Sequence, residues 1–173
     1  AFMYMVDIGN EKILRELANA TNDISQGELI QLDAVKNLDI TLNKLKKISY
    51  FKTGRLFEAS AKTGAINANA NKAFISNISE CAKYLGILFQ IKDDLLDYSE
   101  KSRIGKPIFQ DLKEGKVTYP FFYAYRNANV KEKKQLQNLL ESKKKIKKED
   151  IILIKELGGI LKTNQLALDY HKK

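Results

Sequence analysis

The chain has 173 residues, 44% of them apolar and 29% charged, with two prolines, nine glycines and a formal net charge of +9. That balance excludes a disordered chain and suits a single helix-rich domain. One cysteine, Cys81, and one histidine, His171, exclude an internal disulfide, a zinc site and a Ser-His-Asp triad.

In chain order, Ala1 to Ile8 reads as the end of a helix, and Gly9-Asn10 as a stop followed by a new cap. Leu14, Leu17, Ile24, Leu32 and Val35 then recur at helical spacing, which predicts a long helix from Glu11 to about Val35. Thr41 caps a second helix through Leu45, Ile48, Leu56 and Ala59 toward Gly64. A third runs from about Asn69 to Tyr98, with Phe74, Ile78, Ala82, Leu85 and Phe89 on one stripe. Ser99 to Val117 carries the breakers Gly105, Pro107 and Gly115 and reads as irregular. Further helices are predicted at Tyr119–Asn127, Val130–Glu141, Glu149–Leu157 and from Thr163 onward, with no strand pattern anywhere. The expected fold class is all-α, in one domain spanning residues 1–173.

The charge is uneven: eight lysines face two glutamates between Lys131 and Lys148. Aromatics interleaved with the lysines would mark a nucleic-acid binder, and this run has none, so no nucleic-acid partner is expected. No apolar run approaches the roughly 20 residues that cross a bilayer, and no leader pattern opens the chain. A cytoplasmic location is the expectation.

Some charges fall on apolar stripes. With Phe89 at zero and 100° per residue, Asp93 lies at about +40° and Asp97 at about +80°, while Asp94 borders the stripe at about +140°. Lys52 shares the inner face of the second helix, and Glu28 that of the first. A single inward lysine is explained by an internal ion pair with Glu28 or an aspartate. Three carboxylates within one turn need more than one lysine, and a partly hydrated Mg²⁺ bridging to substrate phosphates satisfies them. Lys106 and Lys116, beside Gly105 and Gly115, suit phosphate.

Four segments together resemble the trans-isoprenyl diphosphate synthases, the polyprenyl synthetase group, most closely the bacterial long-chain octaprenyl type. They are Gln26-Gly27-Glu28, Tyr50 to Phe57 with Lys52-Thr53, Phe89 to Tyr98 with Asp93-Asp94-x-x-Asp97, and Gly105-Lys106-Pro107 followed by Asp111 to Pro120. The resemblance implies an antiparallel helical bundle of the isoprenoid synthase type with its site in a central cavity. It implies that Asp93, Asp94 and Asp97 bind Mg²⁺, and that Lys52, Thr53, Gln90, Lys106 and Lys116 contact a diphosphate, with Asp93, Asp94 and Lys52 central to catalysis. The implied partners are an allylic diphosphate, isopentenyl diphosphate and a second copy in a homodimer. An apolar product leaves room for a peripheral membrane contact. The implied reaction is Mg²⁺-dependent head-to-tail condensation to a polyprenyl diphosphate.

The family's first aspartate-rich motif and the arginine pair beside it have no counterpart here, so the expectation is a downstream portion whose N-terminal helices are missing and which is inactive alone. Phe109 stands where many members have glycine. Two alternatives are a non-catalytic subunit of a heteromer and a terpene cyclase.

Overall fold

A computed structural model describes residues 7, 9–99, 109–141 and 146–173. Lys106, with Gly105 and Pro107, lies outside the described residues, as do almost all of the opening segment and the middle of the lysine run. Nine helices are described: α1 (Glu11–Asp33), α2 (Leu42–Ser49), α3 (Arg55–Asn67), α4 (Lys72–Leu96), α5 (Gln110–Lys113), α6 (Tyr119–Asn127), α7 (Val130–Glu141), α8 (Lys148–Glu156) and α9 (Gly159–His171). Between α2 and α3 the helix widens into a π turn, Tyr50–Gly54. No strand occurs among the described residues.

The boundaries follow local chemistry. Asn10 Oδ1 accepts from the N–H groups of Lys12 and Ile13 at 3.0 and 3.4 Å, after Gly9 turns the chain at φ +63°. Thr41 Oγ1 accepts from Lys44 N at 3.1 Å, and Asn71 Oδ1 from Phe74 N at 2.8 Å. Two starts differ from expectation. α9 begins at Gly159, four residues early, because Gly158 takes the left-handed conformation at φ +77°. The stretch expected to be irregular also contains α5.

α1 lies against the wide turn and α3, α3 packs most extensively on α4, and α4 is backed by α6 and α9. The core between them includes Ile48, Ile87, Ile91, Leu112, Phe121, Leu136 and Ile154.

The inward faces of three helices correct the sequence reading. On α4 the buried row is Ser79, Ala82, Gly86, Ile87, Ile91, Asp94 and Leu95, whereas Phe74, Leu85 and Phe89 are 53%, 54% and 57% exposed. The helix is turned by roughly 100° from the most apolar stripe, because small residues admit α3: a Cβ on Gly86 would lie 2.6 Å from Gly54 Cα. On α1 the buried residues are Ile13, Glu16, Ala20 and Gly27, and Leu32 is exposed. Beyond the wide turn the helical register is offset, so Arg55 and Ala59 are buried and Leu56 is exposed.

Candidate active site

The end of α1, the wide turn, the last turns of α4 and the 111–119 segment enclose a cavity of about 80 Å³. Its lining includes Gln31, Ile48, Lys52, Gln90, Asp93, Asp94, Asp111, Lys116, Thr118 and Tyr119. At the roughly 10–15 Å³ needed per water, it has room for several water-sized groups. Apolar atoms from Ala34, Ile40 and Leu45 form its floor.

Lys52 projects from the wide turn. Its ammonium donates to Gln31 Oε1 at 2.7 Å and lies 3.4 Å from Glu28 Oε1. The expected ion pair with Glu28 is therefore present, although Glu28 is half exposed rather than inward. The neighbouring Thr53 hydroxyl donates to Gln90 Oε1 at 2.7 Å, and Gln90 Nε2 donates to Asp94 Oδ1 at 2.8 Å. Asp94 Oδ2 accepts from Tyr119 N at 3.3 Å. One chain of hydrogen bonds thus joins the wide turn, α4 and the start of α6.

Of the three aspartates, Asp94 is the most buried and Asp93 and Asp97 are partly buried. Asp97 accepts from Gln110 N at 2.9 Å and Asp111 N at 3.2 Å, so its carboxylate caps α5. Asp94 plays the same part at α6, where the Thr118 hydroxyl instead meets Tyr98 Oη at 3.1 Å. A negative group at a helix N-terminus is favourable. Asp93 lines the cavity with Asp111. Among the described residues, no group of three carboxylates is arranged to hold an ion by itself.

Burial is the main cause that pushes the Asp94 carboxyl up to about 7, helped by Asp111 and Asp93 and opposed by the bonds from Gln90 and Tyr119. Burial also raises Asp97, against the two N–H groups that it caps. Burial works against the charged form of Lys116, yet Glu114, 2.6 Å away, and Asp111, at 3.4 Å, hold its pKa above the ordinary value.

Lys116 is placed by backbone. Its N–H donates to Asp111 O at 2.9 Å, and Gly115, at φ +74°, presents its carbonyl to Lys36 N at 2.8 Å. Phe109 is left-handed at φ +60°, a conformation that suits glycine; its N–H donates to Asp97 O at 3.0 Å.

The structure thus brings together Lys52, Thr53, Gln90, Asp93, Asp94 and Lys116, sets Asp97 at the base of α5, and leaves Lys106 outside the described residues. Sequence reasoning missed Asp111 and Gln31 as cavity residues. Asp111 was visible as a carboxylate between the two lysines; Gln31, being uncharged, gave no signal.

Lysines and carboxylates from separate segments of a helical bundle thus converge on one small cavity. Residues 1–157 match the family described as Polyprenyl synthetase, and the chain belongs to that family. It is 35% identical over 142 residues to the octaprenyl diphosphate synthase of Escherichia coli, covering 82% of this chain and 44% of the relative. It is 33% identical over 171 residues to that of Haemophilus influenzae, covering 98% and 50%. Among solved structures, a decaprenyl diphosphate synthase from Rhodobacter capsulatus superposes with a TM-score of 0.88 at 32% identity, covering 98% of this chain and 53% of that one. A polyprenyl synthase from Caulobacter crescentus, complexed with calcium and isoprenyl diphosphate, gives 0.89 at 30% identity and covers 98% and 53%. The chain therefore spans about half the length of the relatives it matches, and its all-helical architecture is the isoprenoid synthase type.

Proposed function

We propose that the protein is a polyprenyl diphosphate synthase, joining isopentenyl diphosphate head-to-tail to an allylic diphosphate, and that residues 1–173 form the downstream part of its single catalytic domain. The observation that carries this reading is the meeting of Lys52 and Lys116 with Asp93, Asp94 and Asp111 around one cavity. Lysines alone would suit any anion. Carboxylates beside them repel a bare diphosphate, so the set is explained by an anion that arrives with cations.

The donor set fits Mg²⁺: the carboxylates offer only oxygen, and with no three of them converging, an ion there would keep water and phosphate oxygens in its shell. Asp93 and Asp111 would hold it, with Asp94 fixed behind them by Gln90 and Tyr119. When bound, Mg²⁺ neutralises charge that builds on the departing diphosphate. Lys52 and Lys116, which line the same cavity, stabilise that same charge. As the allylic C–O bond breaks, the double bond of isopentenyl diphosphate attacks the allylic carbon, and the released diphosphate takes the proton lost from the adduct. No side chain acts as nucleophile, in keeping with the absence of Cys and His from the cavity lining.

The reading extends to a cytoplasmic homodimer. Among the described residues, no helix is long and apolar enough to cross a membrane. The test is incorporation of labelled isopentenyl diphosphate by the intact gene product, given an allylic diphosphate and Mg²⁺. Elongated product is expected. No product would overturn the assignment, and a sedimentation measurement of the same sample checks the dimer.

A further inference from the structure

Arg55 follows the wide turn and is buried, with 7% of its surface exposed. Its Nε donates to Asp23 Oδ2 at 2.7 Å and its Nη1 lies 2.7 Å from Glu16 Oε1. Lys62 Nζ donates to the other Glu16 oxygen at 2.6 Å, and the Tyr50 hydroxyl donates to Glu58, whose carboxylate is 3.6 Å from Arg55. Burial works against the charged form of Glu16, but the hydrogen bond from Lys62 and the adjacent Arg55 charge outweigh it and hold its carboxyl below the usual range. None of these groups lines the cavity.

A buried ion cluster is a poor source of stability, because desolvation offsets much of its attraction; fixing register is its best-attested use. The register in question is that of the wide turn on α1. Glu16, Asp23, Gly27 and Gln31 follow one face of α1 at spacings of seven, four and four. Arg55 grips the first two, and the Lys52 ammonium reaches the last. Between them, a Cβ on Gly27 would lie 2.8 Å from Lys52 N and 2.9 Å from Phe51 Cβ, so the backbone of the turn rests directly on the helix there. Two apolar faces could slide past each other; two carboxylates at fixed heights prevent it.

We propose that Arg55, anchored by Glu16 and Asp23, is a positioning residue for Lys52: it fixes the register of the wide turn along α1, Gly27 sets its depth, and together they deliver the Lys52 ammonium to the cavity. This rests on the reading of the cavity as a diphosphate site. The experiment is calorimetric binding of inorganic diphosphate with Mg²⁺ to the intact gene product, with near-ultraviolet circular dichroism as the check of folding. Lys52→Met is expected to weaken binding roughly 10- to 100-fold, the worth of a charge-assisted hydrogen bond. Arg55→Met and Gly27→Ala are each expected to weaken it about tenfold, and to do nothing further when Lys52 is already Met. A merely structural role for Arg55 would instead give losses that multiply with that of Lys52→Met, and this overturns the proposal. So does unchanged binding in a folded Arg55→Met or Gly27→Ala protein. If Arg55→Met does not fold, Gly27→Ala, which removes no charge, carries the same comparison; if neither folds, the pair is structural and the proposal fails. Wild-type protein that ignores diphosphate, or Lys52→Met that binds like wild type, shows that the diphosphate reading itself is at fault, before any Arg55 variant is considered.

Discussion

The Asp94 carboxylate is held by Gln90 and by the first N–H of α6, in surroundings that raise its pKa to about 7. Because the folded value lies above the ordinary 3.8, the native state binds this proton more tightly than the unfolded chain. The resulting stabilisation is complete below about pH 4 and is lost as pH rises through about 7. In metal-free, diphosphate-free protein, Asp94→Asn is therefore expected to gain stability relative to wild type as pH rises across that window. Urea midpoints of both proteins at pH 5 and pH 7.5 check it, and an offset that stays constant would show that Asp94 does not titrate there. Asp93, which lines the same cavity, is one of the carboxylates proposed to hold the metal: Asp93→Ala is expected to lower turnover about a hundredfold or more. Lys134→Ala, on exposed surface, should leave turnover near wild type in the same assay. The distinction between the two aspartates was not legible in the sequence, because a helical wheel ranks residues by angle and cannot see the N–H of Tyr119 waiting for one of them.

Helix ends were readable where side chains mark them locally, as Asn10, Thr41 and Asn71 do. Helix faces were readable only in part: Leu45, Ile48, Ala59 and Ala82 are buried as expected. The sequence also favours Phe74, Leu85 and Phe89 on α4, but beside Ala82 the helix buries Ser79 and Gly86 instead. Hydrophobic periodicity weighs transfer to an apolar medium; close approach of two backbones is decided by the absence of side chains, which contributes nothing to that sum. Gly86→Ala places a methyl 2.6 Å from Gly54 Cα and about 3 Å from the Phe57 ring, so α3 and α4 must separate. A loss of about 2 kcal/mol in a denaturation midpoint is expected, whereas Asn71→Ala, which removes only a cap, should cost about 1 kcal/mol. Equal costs would mean that the two helices are less tightly opposed than the structure shows.

For the molecule as a whole, the all-α class was legible in the scarcity of breakers and the helical periodicity, and the family in lysines, aspartates and glycines at a spacing that the resemblance recognises. The net charge was not a guide to function: most of the excess sits between Lys131 and Lys148, and no described residue of that run lines the cavity. Several large apolar side chains are left exposed: Leu29 and Leu32 are each 66% exposed on α1, and Phe74, Leu85 and Phe89 are more than half exposed on α4. Where such side chains form a patch, protein normally covers it. Produced alone, residues 1–173 are expected to bind a hydrophobic dye and self-associate, as dye fluorescence and light scattering would show. A monodisperse, dye-silent preparation would mean that these side chains form no such patch in solution.

The wide turn at Tyr50–Gly54 sets helical regularity against binding. A π turn carries roughly one residue more than an α turn, so a redesign toward ideal helix geometry would remove that residue first. Doing so would rotate everything before Arg55 by about 100°, and the grips on Glu16 and Asp23 could no longer be made together with the reach of Lys52 to Gln31. Because buried charges are then left unpaired, deletion of one residue from the turn is expected to give a protein that melts lower and binds diphosphate more weakly, which makes the segment a poor target for optimisation by helix propensity.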